Sequence, residues 1–274
     1  MSIPLEDLFN DVIAKAQRGL GLSDSRLAAK SGLTVDEILN AREGSADYAL
    51  LLKLAPHLNL HGPSLVTMSH NAWRPLEVKL PGLAQFNTTY HDMTVNAYLV
   101  WDAETKNAVA FDTGADAGPM IDFIQKNDLN LSLIFLTHTH PDHIMDLAKL
   151  SADGAVTAFV HAREACAGAK TFELNETDCW QSGGLKIEPR STWGHSKGGI
   201  SYVVSGLSKP VVIVGDALFA SSMGGGMISF ADALATNRKE IFSLPDNTVL
   251  CPGHGPLTTV GEEKAHNPFY PEFK

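Results

Sequence analysis

Cysteine is scarce in this chain and odd in number. Cys166, Cys179 and Cys251 are the only three in 274 residues. Three scattered thiols cannot staple a disulfide framework, and they fit a reducing compartment. Cys251 lies within an apolar run and reads as a buried strand residue. Long apolar runs are missing too: nothing approaches the roughly 20 residues that a membrane-spanning helix needs, so no membrane partner is expected. The opening residues, Met-Ser-Ile-Pro-Leu-Glu-Asp-Leu, are acidic and form no apolar leader, so the expected location is cytoplasmic. Basic residues are in deficit, 21 Lys and Arg against 31 Asp and Glu, for a net charge of −10. That balance speaks against a general nucleic-acid or anionic-membrane surface. What remains is an ordinary hydrophobic content of 44% on a chain long enough for a large core in one or two domains.

Against this plain background, residues 137–143 read Thr-His-Thr-His-Pro-Asp-His. The pattern His-x-His-x-Asp-His gathers His138, His140, Asp142 and His143 into six residues. Imidazole and carboxylate are the ligands of zinc and other borderline first-row ions, and Pro141 favours a turn in which successive side chains converge. The apolar stretch 131–136 before the run has strand length, and Ile144, Leu147, Ala148 and Leu150 after it have helical spacing. The candidate ligands therefore sit on a strand-to-helix turn. Three more follow strand-like runs or precede one, each flanked by glycine: His195 before Ile200–Val204, Asp216 after Pro-Val-Val-Ile-Val-Gly, and His254 after Thr-Val-Leu-Cys-Pro-Gly.

In this order the motifs resemble those of the metallo-β-lactamase-fold hydrolase superfamily, over roughly residues 78–274. The segments GHSKGGISY, GDALF and PGHGPLTTVGEEKAHNPF are most similar to the glyoxalase II-like branch. The resemblance implies an α/β fold, an αββα sandwich with a two-metal site along one edge. Carried over residue by residue, it implies that His138, His140 and His195 hold one metal. Asp142, His143 and His254 would hold the second, with Asp216 bridging, and Asp142 and Asp216 count as catalytic. The expected cofactor is two divalent ions per chain, zinc first, with iron or manganese tolerated by a nitrogen and oxygen ligand set. Metal coordination lowers the pKa of water to about 7 and polarises a carbonyl, so the implied reaction is hydrolysis of a small-molecule thioester or ester by metal-activated hydroxide.

Substrate is less defined. Glyoxalase II enzymes grip glutathione with basic and aromatic residues just after the bridging Asp, whereas residues 217–228 here contain no Lys, Arg or Tyr. Only Arg238, Lys197 or the N-terminal segment is left to meet a glutathione carboxylate. A class B1 β-lactamase would carry Cys in place of Asp216. A persulfide dioxygenase would use a single iron at His138, His195 and Asp216, leaving Asp142, His143 and His254 unemployed.

The organisation changes once along the chain. Residues 1–65 have helical periodicity, with Leu5, Leu8, Val12 and Ile13 on one face, and read as a separate helical module. Residues 66–80, with Pro75 among them, read as a linker, and 81–274 as the catalytic domain. Within the module, RLAAKSGLTVDEILNAREG resembles the helix-turn-helix of phage-repressor-like proteins, with Gly32 at the turn and Thr34 as N-cap. A regulator with a metallo-hydrolase sensor is therefore the alternative class. DNA is not the expected partner, because Asp36 and Glu37 would face phosphate and the module's six basic side chains are outnumbered by eight acidic ones. Its apolar face is expected to cover the catalytic domain or form a homo-oligomer. Asn96 and Asp112 read first as turn residues, with orientation of neighbouring loops or ligands as the alternative. Gly224–Gly226 reads as a flexible loop on the substrate side, not a phosphate loop.

Overall fold

The computed structural model describes residues 3–175 and 179–274. Five helices come first: α1 (Phe9–Gly19), α2 (Asp24–Ser31), α3 (Val35–Arg42), α4 (Tyr48–Leu54) and α5 (Gly62–Ser69). The first six-stranded sheet follows in simple sequence order, β1 (Leu83–Tyr90), β2 (Met93–Trp101), β3 (Asn107–Phe111), β4 (Asn130–Phe135), β5 (Thr157–His161) and β6 (Lys170–Phe172). Helix α6 (Gly118–Lys126) joins β3 to β4, and the short α7 (Pro141–Ile144) and α8 (Leu147–Leu150) join β4 to β5. The second sheet runs β7 (Trp180–Ser182), β8 (Leu185–Ser191), β9 (Ile200–Ser205), β10 (Val211–Gly215), β11 (Val249–Pro252) and β12 (Thr258–Thr259). Helix α9 (Phe230–Thr236) lies between β10 and β11, and α10 (Val260–His266) follows β12.

Period-two alternation explains how the layers stack. In β10 every residue is buried, as a strand covered on both faces requires. Val211 and Ile213 enter a cluster with Phe111, Phe135, Tyr202 and Cys251 between the sheets. Val212 and Val214 point the other way, into a cluster with Val12, Ile13, Leu27, Leu51 and Phe230. On the far side, Ala97, Leu99 and Ile134 pack with Met120, Leu147 and Leu150. Helices thus cover both outer faces, and the αββα sandwich expected from the motifs is the observed fold.

The N-terminal helices owe their local structure to caps legible in the sequence. Ser23 caps α2, and Gly32 ends it in the left-handed region at φ 64°. Thr34 caps α3 through a reciprocal box with Glu37, whose carboxylate accepts from the Thr34 N–H at 2.6 Å. One of the two acidic side chains at the start of α3 is therefore spent on its own helix. Pro63 stands in the first turn of α5, where its missing N–H costs nothing, so irregular chain starts at His70 and not at 66. The apolar faces of these helices are buried within the same chain, against the second sheet, α9 and α10.

Ile13 is fully buried in that shared cluster. Ile13→Ala should lower unfolding free energy by about 2–5 kcal/mol. Denaturant titration should give one transition in which helical and near-UV signals move together; a separate early helical transition would mean that the N-terminal layer is thermodynamically independent.

Candidate metal centre

Four loops at one edge of the sandwich carry the seven predicted side chains. The turn after β4 supplies His138, His140, Asp142 and His143; the β8–β9 connection supplies His195; the end of β10 supplies Asp216; the end of β11 supplies His254. The structure brings all seven together in two groups, one of His138, His140, His195 and Asp216 and one of Asp142, His143 and His254. In the first, His140 Nδ1 lies 3.0 Å from both His138 Nε2 and His195 Nε2. Asp216 Oδ2 is 3.3 Å from His195 Nε2 and 3.9 Å from His138 Nε2. In the second, Asp142 Oδ2 is 3.5 Å from His143 Nε2 and 3.4 Å from His254 Nε2. Asp216 also reaches this group, Oδ1 at 3.3 Å from His143 Nε2 and Oδ2 at 3.5 Å from His254 Nε2.

These separations suit divalent cations. Bonds of about 2.0–2.1 Å in tetrahedral array place neighbouring ligand atoms about 3.3 Å apart. Two of the atoms, His143 Nε2 and Asp216 Oδ1, are buried and have no hydrogen-bond partner among the described residues. An orphaned donor or acceptor there is costly unless a cation takes its lone pair. The donor set is nitrogen and oxygen throughout, which fits zinc, iron or manganese and does not select among them.

The protein's own charges express the same demand. Burial pushes the His138 and His195 imidazoles below their usual range, so both stay neutral and able to donate a lone pair. Burial would also raise Asp216, but the facing His254 and His143 charges outweigh it and hold the carboxyl well below the usual range. Burial opposes protonation of His143 and His254 as well, yet the Asp216 carboxylate raises them to about 10 and about 11. A carboxylate this buried must have positive charge beside it.

The outward ring nitrogens of His143, His195 and His254 are engaged. His195 Nδ1 donates to the Gly225 carbonyl at 2.9 Å, and His254 Nδ1 donates to the Thr94 carbonyl at 2.7 Å. His143 Nδ1 meets Asp112 Oδ2 at 2.9 Å, and the same carboxylate accepts from the Thr137 N–H and hydroxyl at 2.7 and 2.8 Å. Each contact fixes a tautomer that presents the other nitrogen inward.

Asp112 is therefore more than a turn residue. Its backbone is left-handed, at φ 56°, and its side chain orients His143. Asn96, fully buried, donates to the Pro252 and Gly255 carbonyls at 2.9 and 2.8 Å and so holds the loop bearing His254. The glycine-rich run is not loose: a Cβ at Gly224 would stand 1.9 Å from the Asp216 carbonyl, so glycine serves close packing there. Glu6 gave no signal in the sequence. The structure sets its carboxylate 4.0 Å from His254 Nδ1, where burial, the largest influence, raises its pKa. Arg238 is paired at the surface with Glu272 at 2.5 Å.

The family model described as Metallo-beta-lactamase superfamily matches residues 92–254. A probable metallo-hydrolase of Streptococcus pyogenes is 29% identical, covering 68% of this chain and 89% of that protein. Hydroxyacylglutathione hydrolase GloC of Haemophilus influenzae is 29% identical over 64% of this chain and 92% of its own. Among solved structures, ETHE1 from Myxococcus xanthus superposes with a TM-score of 0.60 at 26% identity, covering 69% of this chain and 85% of that one. Helices α1–α5 lie outside the family match.

Asp112→Asn keeps the shape but turns an anionic acceptor on His143 into an amide. It should weaken binding at the Asp142, His143 and His254 group about 10–100-fold, read by competition with a chromophoric chelator. Unchanged affinity would reduce Asp112 to a backbone role.

Proposed function

The chain belongs to the metallo-beta-lactamase superfamily, and from that membership and the geometry of the centre we propose that it is a binuclear metal-dependent hydrolase acting on a thioester or ester. The observation that carries this reading is the shared carboxylate: Asp216 lies within 3.5 Å of His195, His143 and His254, at the junction of two complete donor groups. In this proposal His138, His140 and His195 hold one ion, Asp142, His143 and His254 the other, and Asp216 both. Zinc is the first candidate. Divalent ions held there would lower the pKa of water and polarise a carbonyl oxygen.

The residues themselves supply charge balance and orientation. With His143 and His254 giving up their protons as the ions bind, five neutral imidazoles and two carboxylates would leave the centre net positive once two divalent cations are bound, which favours the developing oxyanion of a carbonyl under attack. Asp216 stands at the junction of the two groups and Asp142 beside it in the second, and both are assigned catalytic roles on the strength of the family resemblance. The thioester preference rests on the likeness to the hydroxyacylglutathione hydrolase of H. influenzae. Glutathione itself has less support: residues 217–228 bring no Lys, Arg or Tyr. The exposed Lys197 beside His195 is a remaining basic group near the edge.

The similarity to ETHE1 sustains a second reading, a single-iron oxygenase using only His138, His195 and Asp216. Against it stands the second donor group, assembled to within 4.8 Å and buried. Metal content separates the two. Elemental analysis of metal-replete protein should give about two ions per chain, and His254→Ala should lower it; one ion per chain, unchanged by His254→Ala, would favour the oxygenase. Asp216→Ala and Asp216→Asn should abolish turnover of an ester and thioester panel while far-UV circular dichroism stays native. Near-wild-type turnover in either variant would refute the shared-carboxylate mechanism.

A further inference from the structure

The N-terminal segment lies outside the family match, yet Lys15 of α1 and Asp7 just before it reach the connection that follows Asp216. We propose that the buried Lys15–Asp7 ion pair is a positioning clamp for the metal centre, acting on His195 through residues 222–225. The inference rests on the proposed two-ion centre.

The clamp grips two consecutive residues. Lys15, on α1, bonds Asp7 Oδ2 at 2.5 Å and also donates to the Met223 carbonyl at 2.8 Å. Asp7 Oδ2 accepts from the Ser222 hydroxyl at 2.5 Å. The ion pair is withdrawn from water, with side-chain exposures of 15% and 8%, so it is weakly screened and costly to break from one side. Two residues beyond Met223, the Gly225 carbonyl accepts the His195 Nδ1 proton at 2.9 Å. Between them Gly224 passes so close to the centre that a Cβ would lie 2.9 Å from His195 Nδ1. The segment has no slack: where Ser222 and Met223 are held, the Gly225 carbonyl is held, and with it the tautomer and tilt of His195. Helix α10 and the residue after it grip Ser221 and Ser222 as well, Asn267 donating to the Ser222 carbonyl and Glu263 accepting from the Ser221 N–H. Lys15 carries the restraint on to the Met223 carbonyl, while the Tyr270 hydroxyl reaches its sulfur at 3.9 Å.

The second donor group provides an internal control. Lys15 stacks over Phe219, 5.1 Å from the ring centroid, and Phe219 meets His254 edge-on at 5.6 Å. The orientation of His254 is nevertheless set by Thr94 on the β1–β2 hairpin, and that of His143 by Asp112. Neither of those hydrogen bonds is made to the 222–225 segment, whose links to the second group are indirect, through the Phe219–Ser222 backbone bridge and the packing of Gly224 on Asp216. A clamp on His195 should therefore act more strongly on that ion than on the other, whereas general loosening of the fold would act equally on both.

The test is zinc release from the full-length, zinc-loaded chain into excess pyridylazoresorcinol, with the phase belonging to the His195 group identified as the one that His195→Ala accelerates. Lys15→Met should speed that phase about tenfold and leave the other within about twofold, because orienting contacts to metal-bound histidines are worth roughly 10–100-fold in affinity. Lys15→Arg, which keeps charge and donors, should restore most of the difference. If Lys15→Met does not fold, Ser222→Ala, which removes one grip without stranding a charge, should accelerate the same phase to a smaller degree. Equal acceleration of both phases, or wild-type release in folded Lys15→Met or Ser222→Ala, would overturn the proposal. A chain that never loads zinc would instead count against the metal centre itself.

Discussion

A carboxylate buried between two sets of imidazoles is the constraint on which the rest of this structure depends. Asp216 is 8% exposed, and an unpaired anion in such a place would be expensive. Everything around it answers that cost. Three other loops converge on its two oxygens, a strand covered on both faces delivers it, and the imidazoles nearest to it are held so that their inner nitrogens face it. The sandwich can be read as the scaffold that keeps four strand ends at one edge, so that side chains far apart in sequence meet there.

The same constraint explains the care spent on the reverse side of His143, His195 and His254. Three different acceptors, the Thr94 carbonyl, the Gly225 carbonyl and the Asp112 carboxylate, come from three different parts of the chain. Each acceptor is itself fixed, Asp112 by Thr137 and Gly225 by the packing of its neighbour against Asp216. Rigidity at the centre is thus borrowed from hydrogen bonds outside it, which distributes the dependence widely through the fold.

What could be read from the sequence follows from how local each signal is. The His-x-His-x-Asp-His run, the glycine-flanked His195, Asp216 and His254, and the caps at Ser23 and Thr34 are short-range patterns, and short-range chemistry made them visible. Asp112 was harder because a left-handed turn residue and an orienting carboxylate look alike until a partner appears 31 residues later. Glu6 and Lys15 were invisible in this sense, since nothing near them says that they approach residues 254 and 223. Periodicity revealed that the early helices had an apolar face; it could not say that Val212 and Val214 would cover it. The glycine run was misjudged for a related reason: glycine marks both freedom and tight approach, and only the neighbouring atoms tell which applies.

That last point bears on how this centre could be altered by design or by drift. At position 253 a Cβ would fall 2.2 Å from Asp216 Oδ1 and 2.7 Å from His143 Cε1, and at 224 it would meet the Asp216 carbonyl. Both places are closed to the other nineteen residues without rebuilding the centre. Variation is open instead at Met145, 61% exposed, and Met227, 73% exposed, which stand two residues from His143 and Gly225 respectively. A randomised library spent on these two flexible side chains would sample new surroundings for a substrate while leaving the metal-facing backbone intact, and one spent on the glycines would sample mostly misfolded chains.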